Sequence, residues 1–407
     1  MKKLIFLTLI LLSMIKVFSQ ELFVLNSHSE TISHVNIGTM AVSNSFAQVG
    51  IWANQVLYHK DLIYVVNSAE DNIQIINSAG ITQSHIYLDN SSNPYQMLIH
   101  EDYIYVTGWA VGKLYKINLE THSYESIEIG IAPQSMLVIG GLMYVSLSGY
   151  TSSGYESGKI AIMDISNFTL VGNIDVYTNP QEMIVHNDMI HVICSGNYAN
   201  ETSKVAIVNR HQRIIEHTIE LEWSVFTSMQ KGADGYVYIG SGYGLGFASY
   251  SPDTYEIYND STNIAFPEGL SLLYDDNNIY VLAPDWFFNS KLRVYNHNHD
   301  LISELTLGIG SVSMCLKSDY LNLSDITNES KISFIAYPNP FVSTINFSIN
   351  NSNAQIEIFN IKGQKVAIVD NMLWEGKDIN GNMLGAGVYF AKVKNGDQVV
   401  VRRFVKL

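Results

Sequence analysis

Apolar and polar positions alternate in short runs along most of the chain, and the runs come in fours. Between Asn93 and Gly130 an apolar stretch (Gln96–Ile99) leads through the polar turn His100–Asp102 into the aromatic, β-branched run Tyr103–Thr107. A loop bearing Trp109 follows, then the alternating segment Lys113–Asn118, a second polar turn and the run Tyr124–Ile129. Hairpin turns between runs of this length predict one four-stranded antiparallel unit. The second run recurs as Tyr64-Val65, Tyr105-Val106, Tyr144-Val145, His191-Val192, Tyr238-Ile239 and Tyr280-Val281, at steps of 41, 39, 47, 47 and 42 residues. Such a period suits a repeat of four strands.

The first run keeps its own register at Gln55, Gln96, Ser135, Glu182, Ser228, Gly269 and Ser313. The seventh is followed by no second run. Glu21–Asn26, Thr31–Asn36 and Val42–Val49 supply the missing second, third and fourth strands from the other end of the chain. The expected fold is therefore all-β: a seven-bladed β-propeller over residues 20–320, closed by N- and C-terminal strands that share one blade. Closure removes the exposed edges that an open stack would carry. Ile63-Tyr64-Val65-Val66-Asn67-Ser68, with Asn72-Ile73-Gln74-Ile75-Ile76-Asn77, resembles the YVTN repeat of the YncE-like seven-bladed propellers. That resemblance implies an extracytoplasmic binding protein and leaves the ligand open.

The ends read differently. Lys2 and Lys3 ahead of the apolar Leu4–Ile15, with Val17-Phe18-Ser19 at its end, predict a signal peptide over 1–19 and a mature start at Gln20. The apolar run is too short to span a membrane, and no Cys near the cleavage point offers a lipid anchor. Residues 321–333 form a polar linker. Beyond it, Tyr337-Pro338-Asn339-Pro340-Phe341, the strand and Gly turn of Ile356–Val366, Trp374–Asp378, Gly387-Val388-Tyr389-Phe390 and the basic pair Arg402-Arg403 pattern as a small Ig-like β-sandwich over 334–407. The same residues resemble the type A C-terminal sorting domain of type IX secretion in Bacteroidota. The resemblance implies Tyr337, Pro338, Asn339, Pro340, Gly387, Tyr389, Arg402 and Arg403 as sorting-motif residues. It also implies the type IX machinery as a partner, and passage through the periplasm to the surface or outside.

Charge divides along the same line. Residues 20–333 hold 12 Lys and Arg against 33 Asp and Glu, about −21, whereas 334–407 hold 8 against 5, or +3. An acidic propeller argues against nucleic acid and an anionic membrane surface as partners. The two cysteines, Cys194 and Cys315, fall in the fourth and seventh blades, too far apart for a disulfide, and read as small buried apolar residues.

In a propeller the loops entering first strands share a face with those between second and third strands. Trp52 and Trp223 lie in the former class. Trp109 and Trp286 lie in the latter, with Tyr150, Tyr155, Tyr198 and Tyr243; Tyr95 and Phe266 stand near first-strand entries. Aromatic rings with polar tips on one face suit sugars, corrinoids or aromatic side chains. Below them, at the channel mouth, the register places Gln55, Gln96, Gln134, Gln181, Glu182 and Glu268, a ring of amides and carboxylates for a polyhydroxylated ligand or for water. His59, His100 and His186 end three different first strands and cannot converge, and His297-x-His299 with Asp300 beside it would need a further ligand to hold zinc, so no metal or other cofactor is expected. No G-x-S-x-G, H-E-x-x-H, P-loop or G-x-G-x-x-G occurs. The expectation is a secreted, monomeric binding module for an extracellular small molecule, glycan or protein, without stable membrane insertion. The alternatives are a lyase-like or quinoprotein-like enzyme, or an adhesive surface protein.

Overall fold

In each repeat the second strand is buried almost throughout, as in Leu62–Asn67 and Tyr103–Gly108, while the fourth, as in Thr82–Tyr87, is mostly exposed. A sheet covered on both faces needs continuous apolar strands near the centre, and the outermost strand is the one most exposed to bulk solvent. In a computed structural model that describes residues 20–222, 226–241, 245–317, 334–337, 341–349, 356–369, 372–395 and 398–407, these units form seven four-stranded antiparallel sheets arranged as propeller blades. The inner strands are Ala53–His59, Pro94–His100, Pro133–Ile139, Pro180–His186, Phe226–Lys231 and Ser271–Tyr274 for blades 1 to 6, and Ser311–Leu316 for blade 7. Blade 5, whose repeat is the least regular in sequence, completes its sheet with a short outer strand, Ile257–Asn259.

Blade 7 is assembled from both ends of the propeller. Ser311–Leu316 pairs with Glu21–Asn26, placing Phe23 opposite Cys315 and Val24 opposite Met314, and Thr31–Asn36 and Ala41–Gln48 complete the sheet. Seven apolar clusters lie between the blades, one per junction. Phe23, Leu25, Val56 and Val65 seal blade 7 against blade 1, and Leu22, Val24, Tyr280 and Leu282 seal it against blade 6. An open stack of seven would have six such seams; the seventh closes the ring.

Each seam also carries a hydroxyl bonded to the main chain of the next blade's inner strand or its entry. Ser68, Thr107, Ser146, Ser195 and Ser228 donate to the carbonyls of Pro94, Gln134, Gln181, Phe226 and Leu270, while Ser290 and Ser313 accept from the amides of Ser311 and Val56. The main-chain groups they satisfy are left over because the inner strand does not pair evenly. Six of the seven inner strands carry an irregularity near their start, for example between Pro94 and Met97 and between Pro180 and Met183. A proline, lacking an N–H, suits such a position.

Cys194 and Cys315 are buried and unpaired with each other, and burial pushes the Cys194 thiol up to about 12 and the Cys315 thiol higher still. The second compact unit of the chain, divided from the first between residues 326 and 327, is a separate β region of two sheets. Ile345, Phe347 and Trp374 of one sheet share a core with Ile356, Ile358, Ala391 and Phe404 of the other. The predicted signal peptide, the linker over 321–333, Trp223, Tyr243, Pro338, Asn339 and Pro340 lie outside the described residues. Tyr337, Arg402 and Arg403 fall in the strands Phe334–Tyr337 and Gln398–Lys406. Among the described residues, no helix is long and apolar enough to cross a membrane.

Candidate functional site

The irregularity at the start of the inner strands turns side chains from the sheet toward the axis, a common use of bulges. Gln55, Gln96, Gln134, Gln181 and Glu182 accordingly line one cavity of about 1060 Å³ along the axis. Gln55 is tied down by its Oε1, which accepts from the Met97 amide at 2.5 Å, and Gln181 donates to Asn179 Oδ1 at 2.5 Å. Gln134 is buried, and its amide oxygen has no hydrogen-bond partner.

Glu182 is the centre of this group. Its Oε1 accepts from Gln96 Nε2 at 2.6 Å and its Oε2 from Ser135 Oγ at 3.2 Å. Burial pushes its carboxyl above the ordinary carboxylate range, and the two hydrogen bonds only partly offset this. Among the described residues no cation pairs with it. Tyr95 stands beside it: burial, then the nearby charge of Glu182 and the phenols of Tyr198 and Tyr155, push its hydroxyl up to about 12. These four groups face a common space.

Above them runs an aromatic arc contributed by blades 2, 3 and 4. Trp109 stacks on Tyr150 with ring centroids 5.3 Å apart, Tyr150 meets Tyr155 edge-on at 5.3 Å, and Tyr155 meets Tyr198 edge-on at 6.1 Å. The sequence builds this arc locally. Tyr150 and Tyr155 are opposite partners in a two-residue-strand hairpin inserted in blade 3. Gly149 opens it at φ 71, where a Cβ would meet the Glu156 carbonyl at 2.8 Å. Tyr198 adopts φ 57, and Asn197 Oδ1 fixes its loop by accepting from the amides of Ala199, Asn200 and Glu201. A bulky residue held in the left-handed region is costly and concentrates at functional sites.

On the other side of the rim Trp286 packs edge-on against His28 at 5.3 Å, and both line the cavity. Asp285 accepts from the amides of Phe287 and Phe288, whose side chains project 84% and 75% exposed. Two of the residues expected at the site stand apart from it. Trp52 is 65% exposed and does not line the cavity. Glu268, at φ 64, turns outward to pair with Arg293 Nη2 at 2.6 Å. Lys231, by contrast, reaches the channel lining from the far end of the blade 5 inner strand. Its Nζ lies 3.2 Å from His186 Nδ1, and His186 Nε2 lies 2.7 Å from Asp253 Oδ1. Its signal was its place, three residues past the register position Ser228. Among the described residues no group of three His, Cys, Asp or Glu is arranged to hold a metal ion.

Comparison with known proteins resolves the two halves unequally. Residues 335–407 match the family model of the secretion system C-terminal sorting domain. The chain is a β-propeller with a type IX sorting tail. It is exported to the cell surface or the outside, and its tail is handled by the type IX machinery. No curated protein sequence matches the chain. For the propeller, Kuenenia stuttgartiensis hydrazine synthase is similar at a TM-score of 0.54 and 10% identity, over 64% of this chain and 88% of that one. Dihydro-heme d1 dehydrogenase NirN in complex with DHE is similar at 0.53 and 10%, over 73% and 75%. Altogether 1037 solved chains match, a breadth that establishes architecture and leaves function to the site.

Proposed function

We propose that this exported propeller is a binding module whose ligand sits at the channel mouth, between the arc of Trp109, Tyr150, Tyr155 and Tyr198 and the polar floor of Gln55, Gln96, Gln134, Gln181 and Glu182. The observation that carries this reading is the convergence of a stacked aromatic wall and a pinned, uncompensated carboxylate in one cavity of about 1060 Å³. Small-molecule sites combine apolar walls with a few placed polar groups in just this way. Trp286 lines the opposite side of the same mouth. In the segment that resembles the YVTN repeat, Asn67 is fully buried and knits its turn by donating to Asn72 Oδ1 and Gln74 Oε1, a structural role.

The test is a thermal-shift screen of the mature chain against glycans, corrinoids, peptides and metal ions, since a ligand of the native state alone raises the melting temperature. Trp109→Ala and Trp286→Ala should each abolish the shift while leaving the melting temperature of the empty protein nearly unchanged. A second reading, adhesion through the rim, draws on the exposed pair Phe287 and Phe288. Silence across the soluble panel, together with retention of the protein by a cell-surface partner that Phe287→Ser/Phe288→Ser loses, would favour it.

A further inference from the structure

Resting on the reading of the channel mouth as a ligand site, we propose that its ligand presents an organic cation, an ammonium or guanidinium group, with Glu182 as counter-ion and the rings of Tyr95, Tyr155 and Tyr198 as walls. Four observations converge on this chemistry. Both oxygens of Glu182 are held by neutral donors, Gln96 Nε2 at 2.6 Å and Ser135 Oγ at 3.2 Å, so the carboxylate is fixed in place without being neutralised. Glu182 is half-buried on the channel wall, so it loses part of its hydration without a charged partner to replace it, and an incoming cation supplies that partner. Lys231, a basic side chain that does line the cavity, is engaged elsewhere. It lies at the far end of its inner strand against His186, which in turn pairs with Asp253.

The neighbours of Glu182 are also of the right kind. The phenol of Tyr95 is close enough to sense both Glu182 and the hydroxyls of Tyr155 and Tyr198, and Tyr155 and Tyr198 line the cavity with it. Aromatic faces attract ammonium and guanidinium groups, and do so most strongly in desolvated sites. A hard metal ion is a poorer guest: it needs several oxygen ligands, and beside the one carboxylate the mouth offers only neutral amide oxygens, of which that of Gln55 is already engaged by the Met97 amide. The propeller's net charge of about −21 over residues 20–333 draws cations toward it at long range as well.

The cavity far exceeds a lone amine, so the cationic group belongs to a larger molecule. An amino sugar and a basic side chain of a polypeptide carry the same chemistry. The experiment therefore uses matched pairs on the mature chain: glucosamine oligomers against their N-acetylated forms, and lysine pentapeptides against N-acetyllysine pentapeptides, measured by calorimetry from pH 4 to pH 8. The expected result is that one arm binds, that acetylation weakens it at least ten-fold, and that Glu182→Gln weakens it by a similar factor. In the lysine arm, whose ε-amines stay charged across this range, affinity in the wild type should fall as the pH drops and the carboxylate protonates, whereas that of Glu182→Gln should stay flat. The glutamine keeps an oxygen for Gln96 or Ser135, so the variant tests charge with the fold intact; an unchanged circular dichroism spectrum confirms this. Equal binding of free and acetylated forms, or equal binding by Glu182→Gln, would overturn the cation. Failure of both amines while a neutral ligand shifts the melting temperature overturns this inference and leaves the binding module standing. Failure of every ligand overturns both.

Discussion

Thr107→Val removes one hydroxyl and almost no volume, so it isolates the polar latch between blades 2 and 3. Thr107 is fully buried on the second strand of blade 2. Its Oγ1 accepts from the Gln96 amide at 3.1 Å and donates to the Gln134 carbonyl of blade 3 at 3.1 Å. The Gln96 amide lies in the stretch between Pro94 and Met97 where pairing within the sheet lapses, so valine leaves it and the Gln134 carbonyl without their partner. An unsatisfied buried polar group costs about 1–3 kcal/mol. Gln96 borders the channel, where water offers partial relief, so the pair should lose about 2–3 kcal/mol. At ~2.1 cal/mol/K per residue over a propeller of about 300 residues, that lowers the melting temperature by about 3–5 °C. Calorimetry of Thr107→Val beside Thr107→Ser gives the decisive comparison, because serine retains the hydroxyl and should recover most of the loss. A valine variant within about 1 °C of wild type, well short of that shift, would refute the latch as a source of stability. So would a serine variant as unstable as the valine one.

Three further outcomes rest on the same geometry. Phe23→Ala empties a nearly fully buried site at the seam between blades 7 and 1; it should cost about 3–5 kcal/mol, read by urea unfolding, and a cost under about 1 kcal/mol would show that the N-terminal strands do not close the ring. Glu182 has a folded pKa above its unfolded one, so the folded state holds the extra proton between the two values and stability falls as pH rises through that window. Glu182→Gln should therefore melt above the empty wild type at pH 8, and the gap should vanish at pH 3; a constant gap would place its origin outside the charge. Cys194 and Cys315 are buried with raised thiol pKa values, so the native protein should resist thiol-disulfide exchange with an aromatic disulfide at pH 8, and both should react on unfolding; rapid native labelling of either would contradict its burial.

What the sequence revealed of the fold was whatever local burial dictates. Tyr64-Val65 and its copies stood out because the second strand is covered on both sides, which forces an apolar run of fixed length and spacing. Glu21–Asn26 could be assigned to blade 7 for the same reason, although its partner strand lies nearly three hundred residues away. The candidate site was legible only in part. Strand direction alone puts Trp109, Tyr150 and Tyr198 on one face, and the register alone puts Gln96 and Glu182 on the axis. Side-chain aim beyond that depended on backbone states that no periodicity records. Glu268 stands beside a register position like Gln181, yet its left-handed φ and the waiting Arg293 guanidinium turn it outward. Lys231 enters the channel from the opposite end of its strand, three residues past the register position Ser228. The bulges were visible only as prolines at Pro94, Pro133 and Pro180, without the hydroxyls that complete them.

Those hydroxyls join stability to the site. Thr107 holds Gln96 and Gln134, and Ser146, which accepts from the Ser135 amide at 3.0 Å and donates to the Gln181 carbonyl at 2.7 Å, holds the backbone of Glu182's partner Ser135 and of the residue before Glu182 itself. The residues that keep neighbouring blades in register are thus the ones that fix the floor of the channel. A protein exported without a disulfide in its propeller relies on ring closure to keep its shape, and here closure and ligand geometry share the same few bonds. Loss of one latch should therefore be felt twice, as a lower melting temperature and as weaker binding. A substitution on an outer strand such as Thr82–Tyr87, whose side chains mostly face solvent, should be felt as neither.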